Sequence, residues 1–171
     1  MLTKNFYNII LERFMFKTLE NAIVTSDGTV CDIYWNSSNL GYERLFQNMY
    51  QARKDANGEG VIFGTGTTPA TPDDYNLESI ITDGFSCAQG DVSITRNADC
   101  MGVVVTHGIT NTGSEPLSIS EVGTLGKVFK GTSTSNMAVV LLDHTVLEEP
   151  IVINPGDSKQ VTYTIRMNYP T

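Results

Sequence analysis

Gly64-Thr65-Gly66-Thr67-Thr68 follows the short apolar run Val61-Ile62-Phe63 and precedes Thr71-Pro72-Asp73-Asp74. A strand, a glycine-rich turn and a helix start, in that order, gather backbone amides around a phosphate. The companion chemistry is missing. A loop of the form G-x-x-x-x-G-K-[ST] needs its lysine to reach the phosphates, and no lysine lies between Lys54 and Lys127. A dinucleotide turn of the form G-x-G-x-x-G needs a third glycine where this chain has Pro69. Thr71 suits an N-cap, Pro72 the first helical position, and Asp73 and Asp74 put two carboxylates in the first turn. There they satisfy the positive end of the helix and repel a phosphate. The five-residue stretch is therefore read as a rigid corner, with Gly64 and Gly66 for tight backbone and the threonines for local hydrogen bonds. Asp73 and Asp74 lack the alternating oxygen ligands of a calcium loop. No cofactor, metal or catalytic residue is assigned.

The remaining reactive side chains have structural readings as well. His107 shares a strand face with Met101, Val103, Val105 and Ile109, which predicts a hydrogen-bonded core histidine. His144 follows Asp143 after an apolar run and is expected at a surface turn. A Ser/His/Asp set can be assembled on paper, but no G-x-S-x-G context supports it. Tyr34 and Trp35, followed by Asn36-Ser37-Ser38, offer a sugar-stacking patch, against a commoner role in a core or interface. Glu121 shares the alternation of Leu117 and Ile119 and should point inward, unless Val122-Gly123 breaks the phase through a bulge. A buried carboxylate there needs backbone amides or an arginine, such as Arg96 or Arg166.

The elements that must position these residues fall into two textures. In residues 1–60, Tyr7, Ile10, Leu11 and Phe14 recur at helical spacing with Lys4, Asn8 and Glu12 opposite, and Thr3 suits the N-cap. A second helical pattern runs through Leu45, Phe46, Met49, Tyr50 and Arg53. Between them, two short strands flank Asp27-Gly28, a hairpin signal. Residues 54–60 read as an exposed loop. From Val61 onward the chain is strand-like: Val92 and Ile94 alternate with Ser93 and Thr95, and Val161, Tyr163, Ile165 and Met167 alternate with Thr162, Thr164 and Arg166. Asn154-Pro155-Gly156-Asp157 suits a type II turn, and Asn111-Thr112-Gly113-Ser114 a turn with its glycine at positive φ. Met137, Val139 and Leu141 fill one strand face while Ala138, Val140 and Leu142 fill the other. Such a strand must be covered on both sides, by a helix, a loop or another subunit. The expected fold is mainly β, an antiparallel sandwich over residues 61–171 preceded by an α-helical, mixed segment over 1–60.

Bulk properties narrow the function classes. The chain has 171 residues, 40% hydrophobic content and a net charge of −8. That suits one globular domain and disfavours nucleic acid, whose phosphates an acidic surface repels. The first twenty residues hold only the apolar runs Ile9-Ile10-Leu11 and Phe14-Met15-Phe16. These are too short for a secretory core of about 7–15 residues or a membrane span of about 20. Neither export by that route nor a membrane anchor is expected.

Several stretches together resemble one group. "FGTGTTPATPDDYNLES" is similar to the G-T-G-T-x-x-A-x-x-x-D-x-x-L-x-x segment of many tailed-bacteriophage virion proteins, among them tail-fibre, collar-fibre, baseplate-associated and small head-decorating proteins. A variable β segment, an acidic motif like Ile119-Ser120-Glu121-Val122-Gly123 and a closing strand after a P-x-G turn follow in the same order, and "MLTKNFYNII" resembles the start of small phage structural proteins. The resemblance implies a non-enzymatic virion component, made in the host cytoplasm, that assembles or attaches tail or tail-fibre parts, with capsid decoration as the alternative. It implies as partners further copies of the chain and other virion proteins. A carbohydrate- or receptor-binding module, contacting host-surface glycan through Tyr34 and Trp35, is the competitor from another class. The assembly-interface candidates are Tyr7, Ile10, Leu11, Phe14, Met137, Val139, Val140 and Leu142.

Cys31, Cys87 and Cys100 cannot all pair within one chain, and no CxxC spacing suggests zinc. All three are expected as free thiols. Thiol titration of unfolded, unreduced protein should find three groups per chain; one group would reveal a disulfide.

Overall fold

The computed structural model describes residues 1–15, 19–33, 51–130 and 137–168. Helix α1 (Lys4–Met15) is followed by β1 (Leu19–Val24), β2 (Val30–Ile33), β3 (Ala52–Arg53), β4 (Gly60–Gly64), β5 (Phe85–Cys87), β6 (Asp91–Arg96), β7 (Cys100–Asn111), β8 (Leu117–Phe129), β9 (Met137–Ile153) and β10 (Ser158–Asn168). The chain is mainly β and sandwich-like, as its alternation predicts. One sheet has the order β3-β4-β8-β9; the other has β10-β7-β5, with β6 also paired to β7; β1 and β2 form a separate hairpin. Pairing is antiparallel except between β3 and β4.

The two larger sheets meet over Val61, Phe63, Phe85, Val105, Ile109, Ile119, Val122, Ile153, Val161, Tyr163 and Ile165. The second sheet follows its sequence pattern closely. β10 runs against β7 without a register break, from Ser158↔Thr110 to Asn168↔Cys100. Val161, Tyr163 and Ile165 are buried while Thr162, Thr164 and Arg166 are exposed. His107 lies in this core, edge-on to Phe63. Gly156 adopts φ +80 in the turn before β10, where any side chain would be strained, and Asp157 N donates to Asn154 O at 3.0 Å. The turn after β7 differs from expectation. Gly113 is not at positive φ; instead the buried Asn111 side chain holds the turn, donating to Glu115 O and Ile153 O and accepting from Gly113 N.

The apolar strand of residues 137–142 is covered on both faces from within the chain. Val140 and Leu142, with Ala138 and Val128, pack against Phe6 and Ile9 of α1 and Ile23 and Ile33 of the hairpin. Leu141 packs on the other face with Ile62, Leu125 and Leu77, and Val139 lies half-buried against them. Of the strand's interface candidates, Val140 and Leu142 are thus fully buried by the chain itself, and Met137 and Val139 are partly covered. Polar clasps fix α1 in place. Asn5 Nδ2 donates to Val24 O at 2.7 Å and Asn5 Oδ1 accepts from Val24 N at 2.8 Å, while Thr3 Oγ1 donates to Leu141 O at 2.6 Å. The Thr3 hydroxyl therefore joins helix to sheet, while Thr3 O, at the expected N-cap position, accepts from Tyr7 N at 3.4 Å.

The helix is present, but its buried stripe is rotated from the expected one. Asn5, Phe6 and Ile9 face inward and Ile10 is half-buried, while Tyr7 is 57% exposed. The cause is the pair of asparagine-mediated contacts: docking Asn5 on β1 and Asn8 on Ala22 O turns Phe6, not Tyr7, toward β9. The side chains of Leu11 and Phe14 lie outside the described residues, as does the helical pattern at Leu45–Tyr50. Arg53 is in a strand, and its Nε donates to Glu59 O at 3.0 Å. Residues 54–60 are not wholly exposed either, because Gly58, Glu59 and Gly60 are buried and Glu59 pairs with Lys127 Nζ at 2.9 Å. The rotated stripe has a measurable consequence. In urea unfolding, Ile9→Ala should cost about 2–5 kcal/mol, whereas Tyr7→Ala should stay within about 0.5 kcal/mol; the reverse order would restore the stripe read from spacing alone.

Candidate functional site

β4 ends at Gly64 and pairs with β8, placing Gly64 opposite Glu121. β8 also pairs with β9, and the register of that ladder shifts between Ile119 and Glu121. This irregularity comes one step earlier than the expected Val122-Gly123 break. It flips the phase, so that Val122 joins Ile119 in the inter-sheet core and Glu121 turns to the opposite face. There Glu121 is 0% exposed, beneath the segment of residues 65–80 that crosses this face.

The glycine-threonine corner closes around that carboxylate. Glu121 Oε1 accepts from Gly66 N at 3.0 Å and Ser79 N at 2.8 Å, and Oε2 accepts from Glu78 N at 3.0 Å. The neighbouring amides have their own acceptors. Thr65 N donates to Ser79 O at 2.9 Å, and Thr67 N and Thr68 N donate to Glu78 Oε2 at 2.9 and 3.0 Å. Those bonds, the Thr68 amide's above all, hold the Glu78 carboxyl below the usual glutamate range. The corner is thus an anion nest whose anion belongs to the same chain. Its glycines are required by space. A Cβ on Gly64 would lie 2.3 Å from Glu121 Oε1, and one on Gly66 2.6 Å from the same atom.

His144 completes the arrangement. It stands on β9 opposite Gly123, nearly buried, with Nε2 3.0 Å from Glu121 Oε2 and Nδ1 2.6 Å from Asp74 Oδ2. It is a buried link, not the expected surface turn residue, because β9 continues unbroken to Ile153 and carries it under the crossing segment. Of the two kinds of partner expected for Glu121, backbone amides are the ones present, joined by His144 and not by an arginine; Arg96 and Arg166 are exposed on the other sheet. Asp74 is held from the other side by Thr71, whose N donates to Oδ2 and whose Oγ1 donates to Oδ1, both at 2.8 Å. Burial pushes the Asp74 carboxyl up, but the Thr71 amide, His144 and the Thr71 hydroxyl together outweigh it, and its pKa is lowered. Residues 71–74 therefore form a turn closed by Asp74, and the expected helix is absent: Asp74 accepts from Thr71 instead of being capped by it. Asp73 points away to Lys4 Nζ at 2.5 Å.

The chemistry of this chain of groups is that of a lock. Both His144 ring nitrogens face carboxylate oxygens, so neither is free to take a proton from a nucleophile. A cleft of about 170 Å³ opens beside it, lined by Thr68, Pro69, Asp74, Asn76, Glu78 and His144. Among the described residues no group of three or more His, Cys, Asp or Glu side chains is placed to hold a metal ion. Tyr34 and Trp35 lie outside the described residues. Spacing alone identified Gly64, Gly66, Thr71, Asp74 and Glu121, and the structure brings them together; Asp73 stands at the margin. His144, Glu78 and Ser79 were missed. The available signal was the run of polar residues Asp143-His144-Thr145 continuing a strand already apolar on both faces. Comparison of the chain with protein-family models, curated proteins and solved structures finds no match.

The lock predicts coupled losses. Glu121→Gln should cost about 1–3 kcal/mol in urea unfolding, and Gly66→Ala should also destabilise the fold. Their effects should be strongly non-additive, because either change disrupts the same contact; simple addition would separate the corner from the carboxylate. The pH dependence follows from Asp74. Its folded pKa lies below its unfolded value of about 3.9, so its contribution is present above that value and lost as pH falls through the folded pKa. Stability should decline below about pH 4, less steeply in Asp74→Asn. Equal slopes for the two proteins in urea titrations at pH 2.5–5 (roughly the range of carboxylate titration) would remove Asp74 from the lock.

Proposed function

We propose that the chain is a non-enzymatic structural component of a tailed-phage virion, acting in the assembly or attachment of tail or tail-fibre parts. The observation that carries this reading is the lock. The two stretches behind the phage resemblance, Gly64–Ser79 and Ile119–Gly123, meet in space, and each accounts for the other: the acidic motif supplies the anion that the glycine-threonine corner encloses. Their joint presence is then a requirement of folding, as expected of a β scaffold whose role is shape and contact. With the corner amides and both His144 nitrogens engaged internally, the most reactive-looking residues of the sequence are assigned to architecture. Capsid decoration is the alternative place for such a scaffold. The net charge of −8 favours protein partners over nucleic acid. No described helix is long and apolar enough to cross a membrane.

Light scattering on the full chain, together with density-gradient co-sedimentation with purified tailed-phage particles, tests the proposal. Self-association or co-migration with particles is the expected result. A monomer at high concentration that sediments free of particles would contradict it, and saturable binding on a glycan array by that monomer would move a receptor-binding module to first place.

A further inference from the structure

β6 is an unusual edge. All six of its residues, Asp91–Arg96, are exposed. It pairs with β7 on one side in a continuous register from Asp91↔Thr106 to Arg96↔Met101, and among the described residues no strand pairs with its other side. Edge strands usually carry a proline, a lysine or a bulge that prevents strand addition; β6 has none of these. Val92 and Ile94 stand opposite Val105 and Val103, on the core side of the sheet, yet they are 44% and 61% exposed. The apolar face of the second sheet thus runs past the edge of its cover. The strand is held firmly: Asn97 closes the turn to β7, its Oδ1 accepting from Asp99 N at 2.9 Å and Cys100 N at 2.8 Å.

We infer that β6 pairs antiparallel with β6 of a second copy of this chain, joining the two β10-β7-β6 sheets about a two-fold axis at Ser93. Three features select this occupant. An edge of unpaired amides and carbonyls is satisfied best by another strand. The sequence Asp91-Val92-Ser93-Ile94-Thr95-Arg96 is self-complementary in this register, with each Val92 opposite Ile94 of the other copy and Ser93 opposite Ser93, so apolar residues stay on one face. Charge disfavours the other direction: parallel in-register pairing would set Asp91 beside Asp91 and Arg96 beside Arg96, whereas in this antiparallel register Asp91 faces Thr95 and Arg96 faces Gly90. This inference rests on the assembly reading above and names its surface and its partner.

Three proteins test it. By light scattering the full chain should have twice the 18.7 kDa chain mass. Ile94→Lys, a change at an exposed position, should be monomeric and still unfold in one cooperative transition, with a midpoint that no longer depends on protein concentration. Ser93→Cys should form an inter-chain disulfide under mild oxidant, while Thr95→Cys, which faces Asp91 of the other copy, should do so far less. A full chain that stays monomeric, a closed assembly of three or more copies, or a dimer that survives Ile94→Lys without Ser93→Cys cross-linking would each overturn the inference. A monomer that still co-sediments with particles would overturn this interface alone and leave the assembly reading standing.

Discussion

A carboxylate fully removed from water loses several kcal/mol of solvation unless its lone pairs are met by donors. Glu121 is such a group, and much of the first sheet is arranged around it. Three backbone amides and one imidazole nitrogen surround it. Supplying them imposes a set of requirements. The chain leaving β4 must turn tightly enough for Gly66 N to reach Oε1, which excludes a Cβ at Gly64 and Gly66. It must then return so that Glu78 and Ser79 present their amides. β8 must change phase after Ile119 to aim Glu121 at this segment, and β9 must extend past Leu142 to deliver His144.

The same geometry settles how the sheet is covered. Leu77 and Ile80 of the crossing segment lie over Ile62, Leu125 and Leu141, while α1 and the β1–β2 hairpin cover Val128, Ala138 and Val140 on the opposite side. An apolar strand with two buried faces therefore needs no second subunit here. Any partner must use what the chain leaves open, and among the described residues the large exposed apolar side chains are Met1, Tyr7, Val30, Tyr75, Val92, Ile94 and Val152. Val92 and Ile94 lie two positions apart on one face of β6.

Much of this was legible in the sequence, and the exceptions have physical causes. Period-two alternation located β10 and the inward face of β7, because each has one buried and one solvated side. Burial of Glu121 followed from the same alternation, but for an incomplete reason. The phase shift beside Ser120 turned Glu121 to the other face, where the crossing segment buries it instead of the second sheet. Thr71-Pro72-Asp73-Asp74 carries every local signal of a helix start. Tertiary contacts overrode them: Asp74 is bound to His144, 70 positions away in sequence, and closes a turn on Thr71. The inward face of α1 was misplaced because Asn5, a polar residue, is on it, its amide exchanging two hydrogen bonds with Val24. Periodicity of apolar residues does not register a buried asparagine.

Hydrogen exchange at individual amides tests the central claim most directly, because the lock is made of amides. Gly66, Glu78 and Ser79 belong to a surface-crossing segment, and without Glu121 as acceptor their protons would exchange as fast as those of a loop. The account predicts that these three amides are protected to the same degree as the β8–β9 ladder, opening only with it. Exchange at loop-like rates while the ladder stays protected would contradict it.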